Sequence, residues 1–490
     1  MAYLTLDLGA GSGRAIVGTI RGGRIQLEEI HRFNNTPVKL GDTIYWDFLS
    51  LFNNIKQGIY LAQKKGYKLQ SIAVDTWGVD FGLIDKQGKL LSNPVTYRDV
   101  RTHGMLAKAL ELVPAEKLYK YTGIQQMEIN SLFQLLSMED NKDPFLEIAH
   151  KLLFTPDLIN YFLTGKIFNE YTIASTSQLL NTETKQWETD LFDKLGLNIQ
   201  IMADIIQPGN LLGPLLPPIS EETETKNVKV YAVGSHDTAS AVAAIPARGD
   251  DWAFLSSGTW SLLGIETDKP VLTQEALENE FTNEGGVNGK ILFMRNCTGL
   301  WLLQNLMSEW EKKDTNTPNT YEYILSECTK APEFRSIVNT DDSIFSNPTS
   351  MAEAIQDYCK RNGQAVPTTK GEFARCVLES LALKYYFVIE KLKKCTNKQI
   401  NSLHVVGGGS KNDLLNQYTA NALGINIITG LSESTALGNI IQQAVANGQI
   451  ANIDEGRMII KNSFELKTYY PKDTQKWINL VDRMKHLFLK

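Results

Sequence analysis

Apolar and polar positions in the first thirty residues alternate in short runs, and the breaks between runs carry glycine and serine. Leu4 to Leu8, Ala15 to Ile20 and Arg24 to Ile30 therefore read as three strands of a meander, joined by a Gly/Ser-rich turn and by Gly22-Gly23. A helical stretch near Leu49 to Lys65 follows. The apolar run Ser71 to Val74 then reads as a further strand ending in Asp75-Thr76-Trp77-Gly78-Val79-Asp80-Phe81. The second half opens in the same way: Val228 to Val233 is an apolar strand, and Ala253 to Ser256 turns at Ser257-Gly258-Thr259 into Trp260 to Ile265. From 371 to 395 apolar side chains recur at helical spacing (Phe373, Val377, Leu381, Tyr385, Val388, Leu392). Lys391, Lys393 and Lys394 occupy the last turn, where the helix dipole favours cations. Strand Leu403 to Val406, a glycine turn and a helix from about Asn412 to Leu423 follow, and the tail beyond 460 carries a short amphipathic helix expected to pack on the body. The class is mixed α/β, and the hairpins Leu4–Ile20 and Ala253–Ile265 read as echoes of one duplicated unit.

A chain of 490 residues exceeds one ordinary core, so two large domains are expected. The composition, 43% hydrophobic and 21% charged, is that of a globular protein, and the net charge of −6 argues against a protein built to bind nucleic acid. Met1 runs directly into the strand-like Tyr3 to Leu6, and no apolar stretch approaches the ~20 residues that span a bilayer, so a cytoplasmic location without membrane association is expected. Five cysteines without a CxxC pair point to free buried thiols. Cys297 is the one candidate for alkylation.

Four short constellations carry candidate chemistry. In Asp7-Leu8-Gly9-Ala10-Gly11-Ser12-Gly13-Arg14 the glycines let backbone N–H groups approach a phosphate, Ser12 adds a hydroxyl, Arg14 adds charge, and Asp7 is placed to hold a hydrated Mg²⁺. The same glycines serve equally well as a tight hairpin turn. No Lys-Ser/Thr follows, which excludes a Walker A loop, and a strand rather than a helix comes next, which excludes a dinucleotide fingerprint. Gly234-Ser235-His236-Asp237-Thr238 sits at the end of a strand, where α/β folds place chemistry; Asp237 is either a general base toward a hydroxyl or, with Thr238, a cap of the following helix. His236 reads as a structural or substrate hydrogen-bonder. Ser256-Ser257-Gly258-Thr259 is a second phosphate-sized turn, and Gly407-Gly408-Gly409-Ser410-Lys411-Asn412 is either a nucleoside-receiving turn or a plain strand-to-helix connection.

Taken with His31-Arg32-Phe33-Asn34-Asn35, Tyr97-Arg98-Asp99, Pro156-Asp157, Asn283-Glu284-Gly285-Gly286 and Gly299 to Gln304, these segments make nearly the whole chain similar to the FGGY family of carbohydrate kinases. The resemblance implies two actin-like (ribonuclease H-like) domains with a central cleft, residues 1–243 binding sugar and 244–490 binding nucleotide. It implies ATP-dependent phosphorylation with Mg²⁺, and Asp237 as proton acceptor. Ala10, Gly11, Ser12, Gly13, Arg14, Ser257, Gly258, Thr259, Gln304, Gly407, Gly408 and Asn412 would face ATP, with Asp7 by the metal. Trp77, Gly78, Asp80, His236, Asp237, Thr238 and Asn296 would face the sugar. L-Rhamnulose, phosphorylated at O1, is the acceptor that fits the pattern best, with L-fuculose, L-xylulose or glycerol as alternatives, and an actin-like ATPase without a sugar acceptor as the rival class. Trp77 either packs its indole against the methyl group of a 6-deoxy sugar, with Asp75 or Asp80 orienting hydroxyls, or belongs to the core. The expected assembly is a monomer or weak homodimer.

Overall fold

The computed structural model describes residues 1–313 and 317–488, which form two compact units. The first comprises Met1–Pro246, Glu266–Phe293 and Glu433–Glu465; the second comprises Ala247–Ile265, Met294–Ser432 and the chain from Leu466 onward. By packing, the first unit is therefore discontinuous in sequence. Its last segment joins it through helix Ser434–Ala446, which packs on helix Asp237–Ala243 and on the sheet of the first unit.

That sheet has six strands, β1 (Ala2–Leu8), β2 (Ser12–Arg21), β3 (Arg24–Asn34), β4 (Leu69–Thr76), β5 (Leu211–Pro214) and β6 (Lys229–Tyr231), in the order β5-β6-β4-β1-β2-β3. All seven residues of β1 are buried, as expected of a strand covered on both faces. Helix Phe48–Lys64 covers part of the sheet, capped by Asp47, whose carboxylate accepts from Ser50 N at 3.1 Å, and it buries Leu51, Ile55, Ile59 and Ala62.

In the second unit, β7 (Trp252–Ser257), β8 (Trp260–Thr267), β9 (Ile291–Thr298), β10 (Ser402–Val406), β11 (Asn426–Leu431) and β12 (Lys467–Tyr469) follow the order β9-β8-β7-β10-β11-β12. The echo between the two hairpins holds at the level of topology. β1 is antiparallel to β2 and parallel to β4, and β7 is antiparallel to β8 and parallel to β10. Outward from there, β4 pairs with β6 in parallel and β6 with β5 antiparallel, while β10 pairs with β11 in parallel and β11 with β12 antiparallel. Helix Lys370–Thr396 runs 27 residues from a Thr369/Glu372 capping box and supplies core from Phe373 to Leu392.

Candidate active site

In the first unit the chemistry gathers at the ends of β1, β4 and β6. Asp7 is level with Arg14 across the β1–β2 ladder and with Asp75 across the β1–β4 ladder. The Arg14 guanidinium forms ion pairs with both Asp7 and Glu433. The turn between β1 and β2 is closed by Gly9 N donating to Ser12 O at 2.9 Å, and Asn35 braces it through Gly9 O and Gly11 O. A Cβ on Gly13 would lie 2.3 Å from the Phe33 ring, so that position requires glycine for packing, whereas a Cβ on Gly11 would meet nothing.

Asp75 is fully buried and accepts from Asn439 and, at 3.3 Å, from Thr5 Oγ1. Burial, followed by the neighbouring Asp7 charge, holds its carboxyl well above the usual range, and burial likewise raises Asp7 against the pull of Arg14.

Asp237 is the first residue of helix Asp237–Ala243, and His236, not Asp237 or Thr238, occupies the cap position without a side-chain capping bond. The capping alternative is therefore not realised. The Asp237 carboxylate accepts instead from Thr238 Oγ1 at 3.2 Å and lies 3.5 Å from His236 Nε2. The other imidazole nitrogen, Nδ1, is 3.2 Å from Glu284 Oε2. Burial alone would lower the His236 pKa, but Glu284, assisted by Asp237 and Glu170, outweighs it and raises the value. Asp237 is raised by burial and by Asp7, with His236 opposing. Asp237 and His236 thus bias each other's protonation just beyond the end of β6.

Trp77 sits in the core beside Trp46, with ring centroids 4.5 Å apart. Both indole N–H groups donate to Asp80 Oδ2, at 2.6 Å from Trp46 and 2.9 Å from Trp77, and Gln134 Nε2 donates to Oδ1 at 3.1 Å. Both Asp80 carboxylate oxygens are thus engaged by the protein's own donors. The same bonds oppose the effect of burial, which nevertheless pushes the Asp80 pKa up to about 6. Gly78 faces Thr176, which a Cβ would meet at 3.1 Å.

In the second unit, the turn Ser257-Gly258-Thr259 is closed by Gly258 N donating to Trp260 O at 2.8 Å, and the Thr259 hydroxyl donates to Gln304 at 3.0 Å. The glycine turn after β10 lies against it: Gly407 has φ of 79°, and a Cβ on Gly409 would lie 2.0 Å from Ser257 Oγ. Gly408 faces open space, so its backbone is free to approach a ligand. Asn412 is fully buried, accepts from Leu415 N at 3.0 Å as a helix cap and donates to Tyr321 at 2.7 Å. Asn296 lies on β9, half-buried, next to Cys297. Cys297 is 1% exposed, which shields it from alkylating reagents; all five cysteines are free thiols, and only Cys395 is partly exposed.

Two family models match this chain, the N-terminal domain of the FGGY family of carbohydrate kinases over residues 2–244 and the C-terminal domain over 253–447. The chain belongs to the FGGY family of carbohydrate kinases. It is 45% identical over 475 residues to a rhamnulokinase of Bacteroides thetaiotaomicron, covering 97% of each chain, and 40% identical over 467 residues to one of Oceanobacillus iheyensis, covering 95% of this chain and 97% of that one. Its fold is similar to that of a Lactobacillus acidophilus gluconate kinase (TM-score 0.81, 19% identity, 99% and 97% of the two chains). It is also similar to a Plasmodium falciparum glycerol kinase crystallised with ADP (TM-score 0.80, 14% identity, 100% and 97%). This FGGY kinase accordingly has the two-domain, actin-like α/β fold of its family, and no helix among its described residues is long and apolar enough to cross a membrane.

Sequence reasoning passed over Glu433 and Glu170, and gave Glu284 no role although it lies in a noted segment. Their one local signal is a carboxylate among small or apolar residues, as in Glu170-Tyr171-Thr172-Ile173-Ala174 and Asn283-Glu284-Gly285-Gly286.

Proposed function

We propose that this FGGY kinase transfers the γ-phosphoryl group of ATP to O1 of L-rhamnulose. The observation that carries the reading is the carboxylate of Asp237, raised in pKa and flanked by His236 and Thr238 at the end of a strand, in a chain similar over nearly its whole length to rhamnulokinases. Asp237 accepts the O1 proton as that oxygen attacks the γ-phosphorus; the bond from phosphorus to the β–γ bridging oxygen breaks, and ADP leaves. His236, Thr238 and Asn296 are assigned to the sugar hydroxyls. The turns Ala10–Arg14 and Ser257–Thr259 are assigned to phosphate, the second with Gln304, and Gly407–Gly408 to the nucleoside. Arg14 would exchange Glu433 for phosphate oxygens.

Two buried carboxylates side by side, with Asp75 Oδ1 lacking any hydrogen-bond partner, fit a divalent cation of the Mg²⁺ type, which takes one or two carboxylates and completes its shell with water and phosphate. Asp7, with Asp75 beside it, would hold the ion, which when bound offsets the phosphate charge.

Release of ADP by the purified protein with L-rhamnulose, L-fuculose, L-xylulose, glycerol or no sugar tests the reading. L-Rhamnulose is expected to give the highest kcat/KM. Discrimination against a ketose lacking only the methyl contact is limited to roughly 10- to 200-fold. ADP release that no sugar accelerates would overturn the kinase assignment.

A pH prediction follows from the signs of the shifts. The base form of Asp237 is lost as pH falls through a pKa already above the usual carboxylate range, and His236 is the group that holds that pKa down. In a His236→Gln variant the acid limb of kcat is therefore expected to move to higher pH, measured at saturating ATP and sugar. An unmoved limb would separate His236 from the titration of the base.

A further inference from the structure

The loop that carries Asp237 has little regular structure of its own, so its backbone must be held by other groups. β6 ends at Tyr231; beyond it an isolated parallel bridge joins Thr76 and His236, with Thr76 N donating to Ser235 O at 2.8 Å, but the N–H groups of Gly234, Ser235 and His236 have no backbone acceptor. Each donates to a side chain instead. Gly234 N donates to Gln442 Oε1 at 2.6 Å, Ser235 N to Glu170 Oε2 at 3.1 Å, and His236 N to Thr172 Oγ1 at 3.1 Å. Glu170 and Thr172 act as one device, because the Thr172 hydroxyl donates a hydrogen bond to Glu170 Oε2 at 2.6 Å while accepting one from His236 N. Glu170 is in turn fixed by Thr172 N at 2.9 Å and Ile173 N at 3.2 Å, as the cap of the short helix Tyr171–Ser175.

The same helix reaches two other segments. Ser175 Oγ accepts from Gly285 N at 2.7 Å, next to Glu284, the carboxylate facing His236. Thr176 Oγ1 accepts from Val79 N at 3.0 Å, a β-branched residue held at φ of 68° beside Gly78. Such a residue persists in that conformation only where its surroundings over-determine it. A single buried segment thus presents side-chain acceptors to the backbones of three separate loops.

We infer that Glu170 and Thr172 are positioning residues for phosphoryl transfer, fixing the backbone from which Asp237 and His236 project. This rests on the reading of Asp237 as the base. Neither residue touches the reacting atoms; their effect lies in placement, where an error of about 1 Å can cost on the order of 100-fold in rate.

The test is Thr172→Val, which keeps the shape and removes both halves of the relay, compared with Thr172→Ser, which restores the hydroxyl. With the sugar that the wild type uses best, Thr172→Val is expected to lose roughly 10- to 100-fold in kcat while KM for ATP stays within about twofold, and Thr172→Ser to recover most of the loss. Thr172→Ala, read in the same way, serves if the valine variant does not fold. A kcat within about twofold of wild type in a folded Thr172→Val or Thr172→Ala protein would overturn the inference, as would a loss that serine does not repair. Asp237→Asn run alongside separates the two levels. If it is inactive and Thr172→Val is not, only the positioning role fails; if it is active, the base assignment fails and the positioning role falls with it.

Discussion

Replacing Asp237 with asparagine is expected to lower kcat by roughly 10²- to 10⁴-fold, the span that a positioned general base supplies. Asparagine keeps the volume and the acceptor toward Thr238 Oγ1, and Asp237 is not the helix cap, so the fold has little reason to change. The substitution does remove the anion near His236 Nε2, and the imidazole is then expected to lose part of what raises its pKa. KM for ATP is expected to move little, because the residues assigned to phosphate lie on the turns Ala10–Arg14 and Ser257–Thr259. Steady-state ADP release at saturating sugar, with circular dichroism as a check on folding, measures all of this. A folded Asp237→Asn protein with turnover within about tenfold of wild type would remove Asp237 from the base role, since that is below what such a base contributes.

The strands, the hairpins and the loop at Asp237 are legible in sequence because each is a local pattern. β1, β2 and β4 lie within a few residues of where the apolar runs end, and the turn after β1 is marked by glycines that the Phe33 contact explains in part. What sequence does not reveal is the set of partners that come from afar. Asp75 is bonded by Asn439, Gly234 by Gln442 and Arg14 by Glu433, pairs separated by hundreds of residues, so no window along the chain contains both members. Asp80 shows a second limit. A carboxylate next to a tryptophan reads equally as a ligand group or as a core acceptor, and the choice depends on Trp46 and Gln134, which the local segment does not contain. The discontinuous first unit has the same origin, since helix Ser434–Ala446 is assigned to it by tertiary packing alone.

That helix is also where the largest stability effect is expected. Gly438 lies so close to the chain beneath it that a Cβ would stand 1.7 Å from the carbonyl oxygen of Ser240, a backbone atom of the helix that begins at Asp237. No rotamer relieves a clash with main chain, so even Gly438→Ala must push the two helices apart, at a cost of about 3 kcal/mol or more. The better helix propensity of alanine, worth about 1 kcal/mol, does not offset it. The displaced helix carries Gln442, which holds Gly234 N at 2.6 Å and reaches Ser240 Oγ at 3.1 Å, and Asn439, which holds Asp75. Gly438→Ala is therefore expected to lower the apparent melting midpoint by several degrees and also to depress kcat in whatever fraction remains folded, because the base loop and the buried carboxylate lose their supports together. Thermal denaturation followed by turnover per folded molecule distinguishes this from simple destabilisation. A variant that melts earlier but retains wild-type kcat per folded molecule would mean that the contact between these helices serves stability alone, and one that melts with the wild type would mean that the two helices do not approach this closely.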